Sequence, residues 1–391
     1  MDDPSETSAV PMLNAAAEPY QDEPFEAEIA IRTTRRVRHS PLTRAALRRG
    51  ASGWTVYNHM LLPTSYRGIE DYHHLKRAVQ VWDVCAERQV EITGPDAAEL
   101  AQLLTPRRVL DWPLLKCAYA PCCDANGGLL NDPLLLRPDE KRWWFSIADT
   151  DLLLFATGIA AGRGLDVAVR EPDVHPIAIQ GPKADELAAR VFGDAVRDLR
   201  FFGADRFEVE GREHVVARSG WSGQGGFEVF VEGWDACEPL WDALFEAGAD
   251  LDVRPGSPNA IERIEAGLLS YGNDMTLADT PFECGLGRYV DLDAPSLARD
   301  ALRERAEPTR ALRGLMFEAG SLPTLARRWP VERDGNAVGE VRSAANSPDH
   351  ARGIAIAMLD HRALEEEATV QVHVPGVGPM NAEVRKLPMK I

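Results

Sequence analysis

Apolar and polar residues alternate over 227–232. Phe227, Val229 and Val231 fall on one face of a predicted strand, and Glu228, Phe230 and Glu232 on the other. The preceding run, Gly220-Trp221-Ser222-Gly223-Gln224-Gly225-Gly226, predicts a bend with positive φ and close backbone approach. Upstream, "IEDYHHLKRAVQVWDV" has apolar residues at Ile69, Tyr72, Leu75, Val79 and Trp82, spacing that predicts one helix with His73 and His74 on its outer surface. "RQVEITGPDAAELAQLLT" reads as strand, turn and helix, entered at Pro95-Asp96, and "HPIAIQGPKADELAARVFG" repeats the order. Two such units predict two related α+β layers rather than a doubly wound sheet. "NAIERIEAGLLSYG" predicts a long helix ending at Gly272, where a left-handed residue would close it. The last hundred residues change character. "RGLMFEAG", "WPVERDG", "GEVRSAANSP", "RGIAIAML" and "ATVQVHVPG" are short strands between turn residues, predicting a separate β-barrel or β-sandwich.

Composition narrows the function classes. The chain has 391 residues, 45% of them hydrophobic, enough for two or three domains. Its net charge of −18 argues against a nucleic-acid partner, which needs a basic surface. No run of eighteen apolar residues predicts a membrane span, and the acidic start lacks the apolar segment of a secretory signal. Residues 1–32 are rich in Pro, Glu, Asp, Ser and Ala without periodicity and are expected to be a disordered tail; the basic stretch "RTTRRVRHS" that begins at its end is expected to be an arm packed on the body. Six cysteines, with no C-x-x-C pair and no clustered histidines, predict reduced thiols in a cytoplasmic protein and no metal site. "GLGRY" at 285–289 lacks the glycine spacing of a dinucleotide site.

Ten stretches together carry a family resemblance: "TVYNHMLL", "HLKRAVQVWDV", "RQVEITGPDA", "GGLLNDPLLL", "WWFSIADTD", "AIQGPK", "ARSGWSGQGGFEVFVE", "GSPNAIERIEAGLLSYGND", "TPFECGLG" and "RSAANSP". In their order and spacing the chain resembles the T-protein (aminomethyltransferase) family of the glycine cleavage system and, within it, the dimethylsulfoniopropionate (DMSP) demethylases. The resemblance runs from about Thr33 to the C-terminus. It implies an α+β, three-domain cloverleaf with folate in the central opening. The first domain is then split between 33–87 and 174–290 around a second domain at 88–173, with a β-barrel at 291–391. A homodimer is compatible with it.

The resemblance also implies site residues. Glu228 matches the family's pterin-binding glutamate, a fit with elementary chemistry, since a pterin presents a ring N–H beside an exocyclic amino group and one carboxylate accepts both. Trp221 is expected to wall that pocket. Asp132 matches the catalytic aspartate, and Asn131 replaces the acidic neighbour that aminomethyltransferases carry. Arg263 matches an arginine near the folate, and Tyr271 lies where the family lines its cavity. Tyr57, Met60, Tyr119, Trp143 and Trp144 are expected as further walls. Phe230 and Ala118 stand where the marine demethylases are expected to carry tyrosine, so both are assigned to the donor pocket, here larger and less polar. The implied activity is transfer of a methyl group from a small onium or methoxy donor, DMSP first among them, to N5 of tetrahydrofolate. Two alternatives stay open: an aminomethyltransferase of the glycine-cleavage type, and a folate-binding regulatory protein without turnover.

Overall fold

A computed structural model describes residues 33–318 and 320–389; the predicted tail lies outside them. Arg38 anchors the start of the described chain. Its guanidinium donates to both carboxylate oxygens of Glu171, at 3.0 and 2.7 Å, and its backbone pairs with the hairpin Gly53–Tyr57 and Met60–Ser65. That hairpin turns through Asn58 and His59, both at positive φ.

The architecture is four layers plus a barrel. A six-stranded sheet runs in the order Ala204–Val209, Arg212–Ala217, Gly226–Glu232, Val174–Gln180, Val79–Asp83, Val253–Gly256. All neighbours are antiparallel except the last pair. Alternation sorts its side chains. Ile177, Ile179, Phe227, Val229 and Val231 pack under the helices Ala184–Phe192 and Trp234–Ala247, while Val215, Ala217 and Phe230 face the opposite way. A second, five-stranded sheet has the order Ala168–Arg170, Gln89–Thr93, Arg142–Ser146, Leu134–Asp139, Cys117–Tyr119. Its outer face packs on the helices Ala97–Leu104 and Leu152–Arg163. Its inner face sends Cys117, Leu136 and Trp144 against Phe230, Val215 and Ala217 of the first sheet. The layers therefore read helix, sheet, sheet, helix, and the strands of the second sheet lie in the chain between two neighbouring strands of the first.

The two strand–Gly-Pro–helix units form as predicted, for the same backbone reason. Gly94 and Gly181 sit at φ of +125° and +124°. A Cβ there would meet the Asp166 carbonyl at 2.5 Å and the Ala78 carbonyl at 2.4 Å, so only glycine fits. The C-terminal strands close into a six-stranded barrel. Arg352–Asp360 shows why its sequence is a continuous apolar run: Ala355, Ala357 and Leu359 fill the barrel, and Ile354, Ile356 and Met358 pack outward against Ile264, Met275 and Leu129.

Two predicted helices are shorter than expected. The 69–84 segment is helical only over Ile69–Arg77, because Val79, Val81 and Trp82 belong to a central strand of the first sheet, whose pairing overrides the helical spacing. His74 is correspondingly buried, its Nε2 2.7 Å from the Asp252 carbonyl oxygen. The 259–272 segment is helical over Ala260–Glu265. Asn259 caps its start. Gly267, at φ +67°, ends it in a Schellman turn: Leu268 N–H donates to the Arg263 carbonyl at 2.8 Å and Gly267 N–H to that of Ile264 at 3.1 Å. Gly272 therefore lies beyond the helix.

Candidate active site

The Gly-rich bend takes its shape from the chain itself. Gly220 and Gly226 have φ of +142° and +149°, and a Cβ on either would lie 2.0 Å from Gln180 Nε2 or the Ile179 carbonyl. The close backbone approach that the glycines permit is to the strand Val174–Gln180. Glu262 holds the bend from below, accepting from Gly223 N–H at 2.6 Å and Gln224 Nε2 at 3.2 Å. Trp221 is held over the end of the same helix, its Nε1 donating to the Leu269 carbonyl at 3.3 Å and its ring 5.8 Å from the Arg263 guanidinium.

Glu228 follows the bend on the inner face of the first sheet, opposite Ala178 and Ala217. It is 7% exposed. Ser219 Oγ donates to one carboxylate oxygen at 2.5 Å. Among the described residues, no hydrogen bond reaches the other oxygen. Burial pushes this carboxyl above the usual range, and Ser219 opposes the shift.

Asp132 reaches the same region from the second sheet, between the strands Leu129–Asn131 and Leu134–Asp139. The Tyr119 hydroxyl donates to it. Burial raises its pKa to about 7, against the pull of that hydrogen bond, and Asp274 adds a smaller upward push. Asn131, beside it, is fully engaged: its Nδ2 donates to the Ala148 carbonyl at 3.0 Å and Thr150 Oγ1 at 2.7 Å, and its Oδ1 accepts from Ala148 N–H at 3.0 Å. Tyr271 donates to the Leu129 carbonyl at 2.8 Å. Burial, then the Asp132 charge, raise its phenol. Tyr57 likewise sits within the field of Asp132.

A third carboxylate belongs with these and was missed in the sequence. Glu87 lies in the turn at 84–88, where the chain leaves the first sheet for the second. Its carboxyl is driven well up by burial, by Glu228 and by Asp132. Its only sequence signal is position, a carboxylate at the junction of two predicted elements, and no motif marks it.

Several expected wall residues sit elsewhere. Ala118 points to the outer, helix-backed core of the second sheet, because Cys117 and Tyr119 take the inward positions of that strand. Met60 is core beneath the first sheet. Trp143 packs outward against Trp112, and Trp144 is tied to Glu91 at 2.8 Å. Phe230 shares its face with Glu228 as predicted, but its ring packs on Trp144 at 6.1 Å and is 1% exposed. Arg263 is bound to Asp274 at 2.5 Å and to Ser343 Oγ at 2.7 Å, and reaches the site only through Trp221.

A two-sheet body with a closed barrel frames these carboxylates. Residues 42–294 match the GCVT N-terminal domain and residues 310–390 the glycine cleavage T-protein C-terminal barrel domain, so the chain belongs to the glycine cleavage T-protein family. Within it, the chain is 49% identical to the dimethylsulfoniopropionate demethylase of Ruegeria pomeroyi, over 90% of this chain and 97% of that one. It is 32% identical to the aminomethyltransferase of Streptomyces avermitilis, over 79% and 84% of the two chains. The solved aminomethyltransferase of Bartonella henselae has the same fold, with a TM-score of 0.79 over 90% of this chain and 98% of that chain at 21% identity.

Proposed function

We propose that this protein is a tetrahydrofolate-dependent methyltransferase that demethylates a small onium donor, with DMSP the first candidate. The observation that carries the reading is the pairing of a buried, half-satisfied Glu228 with a Tyr119-held Asp132 in a chain so similar to a DMSP demethylase. Tetrahydrofolate supplies a nucleophilic secondary amine, N5. Glu228, once ionised, accepts the paired N–H groups of the pterin through its free oxygen and the one shared with Ser219. Trp221 covers the ring. The N5 lone pair forms the new N–C bond as the C–S bond breaks, and the pair of that bond stays on sulfur as a neutral thioether. No acid is needed for such a leaving group, so the protein's share is placement and exclusion of water. The proton left on N5 passes to Asp132, whose raised pKa suits it to hold a proton near neutrality.

The aminomethyltransferase reading has the weaker support. Asn131 takes the acidic neighbour's place, and its amide is consumed in holding the 148–150 loop. The test is incubation with tetrahydrofolate and a panel of sulfonium, betaine and methoxy donors, followed by mass spectrometry. 5-Methyltetrahydrofolate from a sulfonium supports the proposal. Product only from an aminomethylated lipoyl carrier overturns it. We place the enzyme in cytoplasmic one-carbon metabolism; no described helix is long and apolar enough to cross a membrane.

A further inference from the structure

Glu87 is held by its backbone and left free at its carboxyl. Its N–H donates to the Val84 carbonyl at 2.9 Å. Its own carbonyl accepts from Gln89 Nε2 at 2.8 Å, and Gln89 Nε2 also reaches Ser146 Oγ at 2.8 Å. The adjacent Ala86 carbonyl accepts from Asn58 Nδ2 at 3.0 Å. The residue is thus pinned by the hairpin tip on one side and by the second sheet on the other. Among the described residues, no hydrogen bond or ion pair reaches its carboxyl.

Asn58 Nδ2 bridges the Ala86 and Ile147 carbonyls at 3.0 and 3.3 Å, and Asn131 is tied to Ala148, so Glu87 and Asp132 flank one turn of the chain; the charges of Glu228 and Asp132 act on the Glu87 carboxyl, and that carboxyl acts on the Tyr57 phenol. None is a cation. The nearby guanidinium groups are spent elsewhere. Arg88, the next residue, turns to Glu171, its Nε at 2.9 Å, where Arg38 also binds. Arg263 is held by Asp274. Glu228 is more than nine-tenths buried and keeps one oxygen without a hydrogen bond among the described residues. A half-buried carboxyl without a partner costs stability, and a fold that tolerates it beside two others has left room for a positive charge from outside.

We propose that Glu87 selects the methyl donor: its free carboxyl, beside Asp132 and Glu228, gives up its proton to solvent as an onium enters, then faces the sulfur with negative charge and so favours a sulfonium over the thioether, neutral at sulfur, that it becomes. The inference rests on the demethylase reading and adds to it the residue that reads the donor's charge. During transfer the positive charge moves from sulfur to N5 and stays within the field of the same carboxylates. The contribution of Glu87 is therefore felt in the bound donor and the transition state alike, and it belongs in KM more than in kcat. Loss of the charge on sulfur then weakens the hold on the product.

The experiment compares wild type, Glu87→Gln and Glu87→Asp. It uses DMSP as donor, 3-(methylthio)propionate as the thioether that keeps the carboxylate and lacks the charge on sulfur, and tetrahydrofolate titration as a control. Glu87→Gln is expected to raise KM for DMSP about tenfold, with a smaller change in kcat, and to leave thioether and tetrahydrofolate binding alone. Glu87→Asp, which keeps the charge, is expected to recover part of the preference. An unchanged DMSP-to-thioether ratio in Glu87→Gln overturns the proposal, as does an equal loss of tetrahydrofolate binding, which would make Glu87 a support for the pterin. If wild type forms no 5-methyltetrahydrofolate from DMSP or any other sulfonium of the panel, the demethylase reading itself falls, and this inference with it.

Discussion

Two regions of this protein each gather three carboxylates, and they treat them in opposite ways. Where the first sheet's trailing loop meets the barrel, Asp274, Asp279 and Glu283 are matched by three arginines. Arg263 binds Asp274 at 2.5 Å, Arg342 and Arg310 bind Asp279 at 2.7 and 2.9 Å, and Arg310 also binds Glu283 at 2.8 Å. Backbone N–H groups of Ser270, Thr276 and Thr280 complete the shells. Between the two sheets, no arginine or lysine among the described residues pairs with Glu87, Asp132 or Glu228. Tyr119 serves Asp132, Ser219 serves Glu228, and no described residue serves the Glu87 carboxyl. The first cluster is satisfied from within and joins two parts of the fold. The second is complete only when a ligand brings the N–H groups and the positive charge. Buried charge by itself does not mark a site; what separates the two is whether the protein provides the counter-charge.

The contrast is broken most severely at the barrel. Asp274→Ala strands the Arg263 guanidinium in a buried position, and we expect a loss of about 3–5 kcal/mol, read as a lower midpoint in urea unfolding. A midpoint within error of wild type would mean the matched cluster is not structural. At the other cluster, Asp132→Asn is expected to lower kcat about a hundredfold while tetrahydrofolate still binds. Wild-type activity should fall as pH drops below about 7, because the acceptor must be ionised and its pKa is raised to about 7 by burial. The substituted enzyme should show no such limb; a limb that persists there assigns the proton to another group.

The smallest effects separate the two roles of Glu228. Glu228→Ala should weaken tetrahydrofolate binding by about 1.5–3 kcal/mol without unfolding the protein. Glu228→Gln should lose the same ligand yet melt no lower than wild type. The fold raises this carboxyl's pKa, so the stability linked to its proton is present below the ordinary carboxylate range and is lost as pH rises through the raised value. The melting advantage of Glu228→Gln should therefore grow as pH rises above the ordinary carboxylate range. A Glu228→Gln protein that melts lower throughout would mean the carboxylate is part of the scaffold.

Much of the layering is legible in the sequence because period-two alternation and the Gly-Pro turns are local signals. The barrel strands and both strand–turn–helix units are of this kind. The helix spanning 69–84 misleads because Val79 and Trp82 satisfy a helical spacing while β-pairing partners a hundred residues away decide their state. For the site, Glu228, Asp132, Tyr119, Trp221 and Tyr271 are expected from the resemblance, and the structure joins Tyr119 to Asp132 and Tyr271 to the adjacent Leu129. Ala118 fails on parity alone: one step along the strand turns a side chain from the inner face to the outer. Glu87 escapes notice because its meaning lies in what does not surround it, and no sequence pattern records a missing cation.

The strand Val79–Asp83 pairs with residues 177–180 on one side and with 253–256 on the other. Its partners are made long after it. A nascent chain emerging in order must hold this segment unpaired while the whole intervening second sheet is synthesised, then close loops of about a hundred and of more than a hundred and seventy residues. Such distant closures slow folding. The second sheet, whose strands lie within one contiguous stretch, is the unit that can form first. Its completion brings residues 83 and 174 near one another, so the insertion works as a folding jig for the sheet that surrounds it.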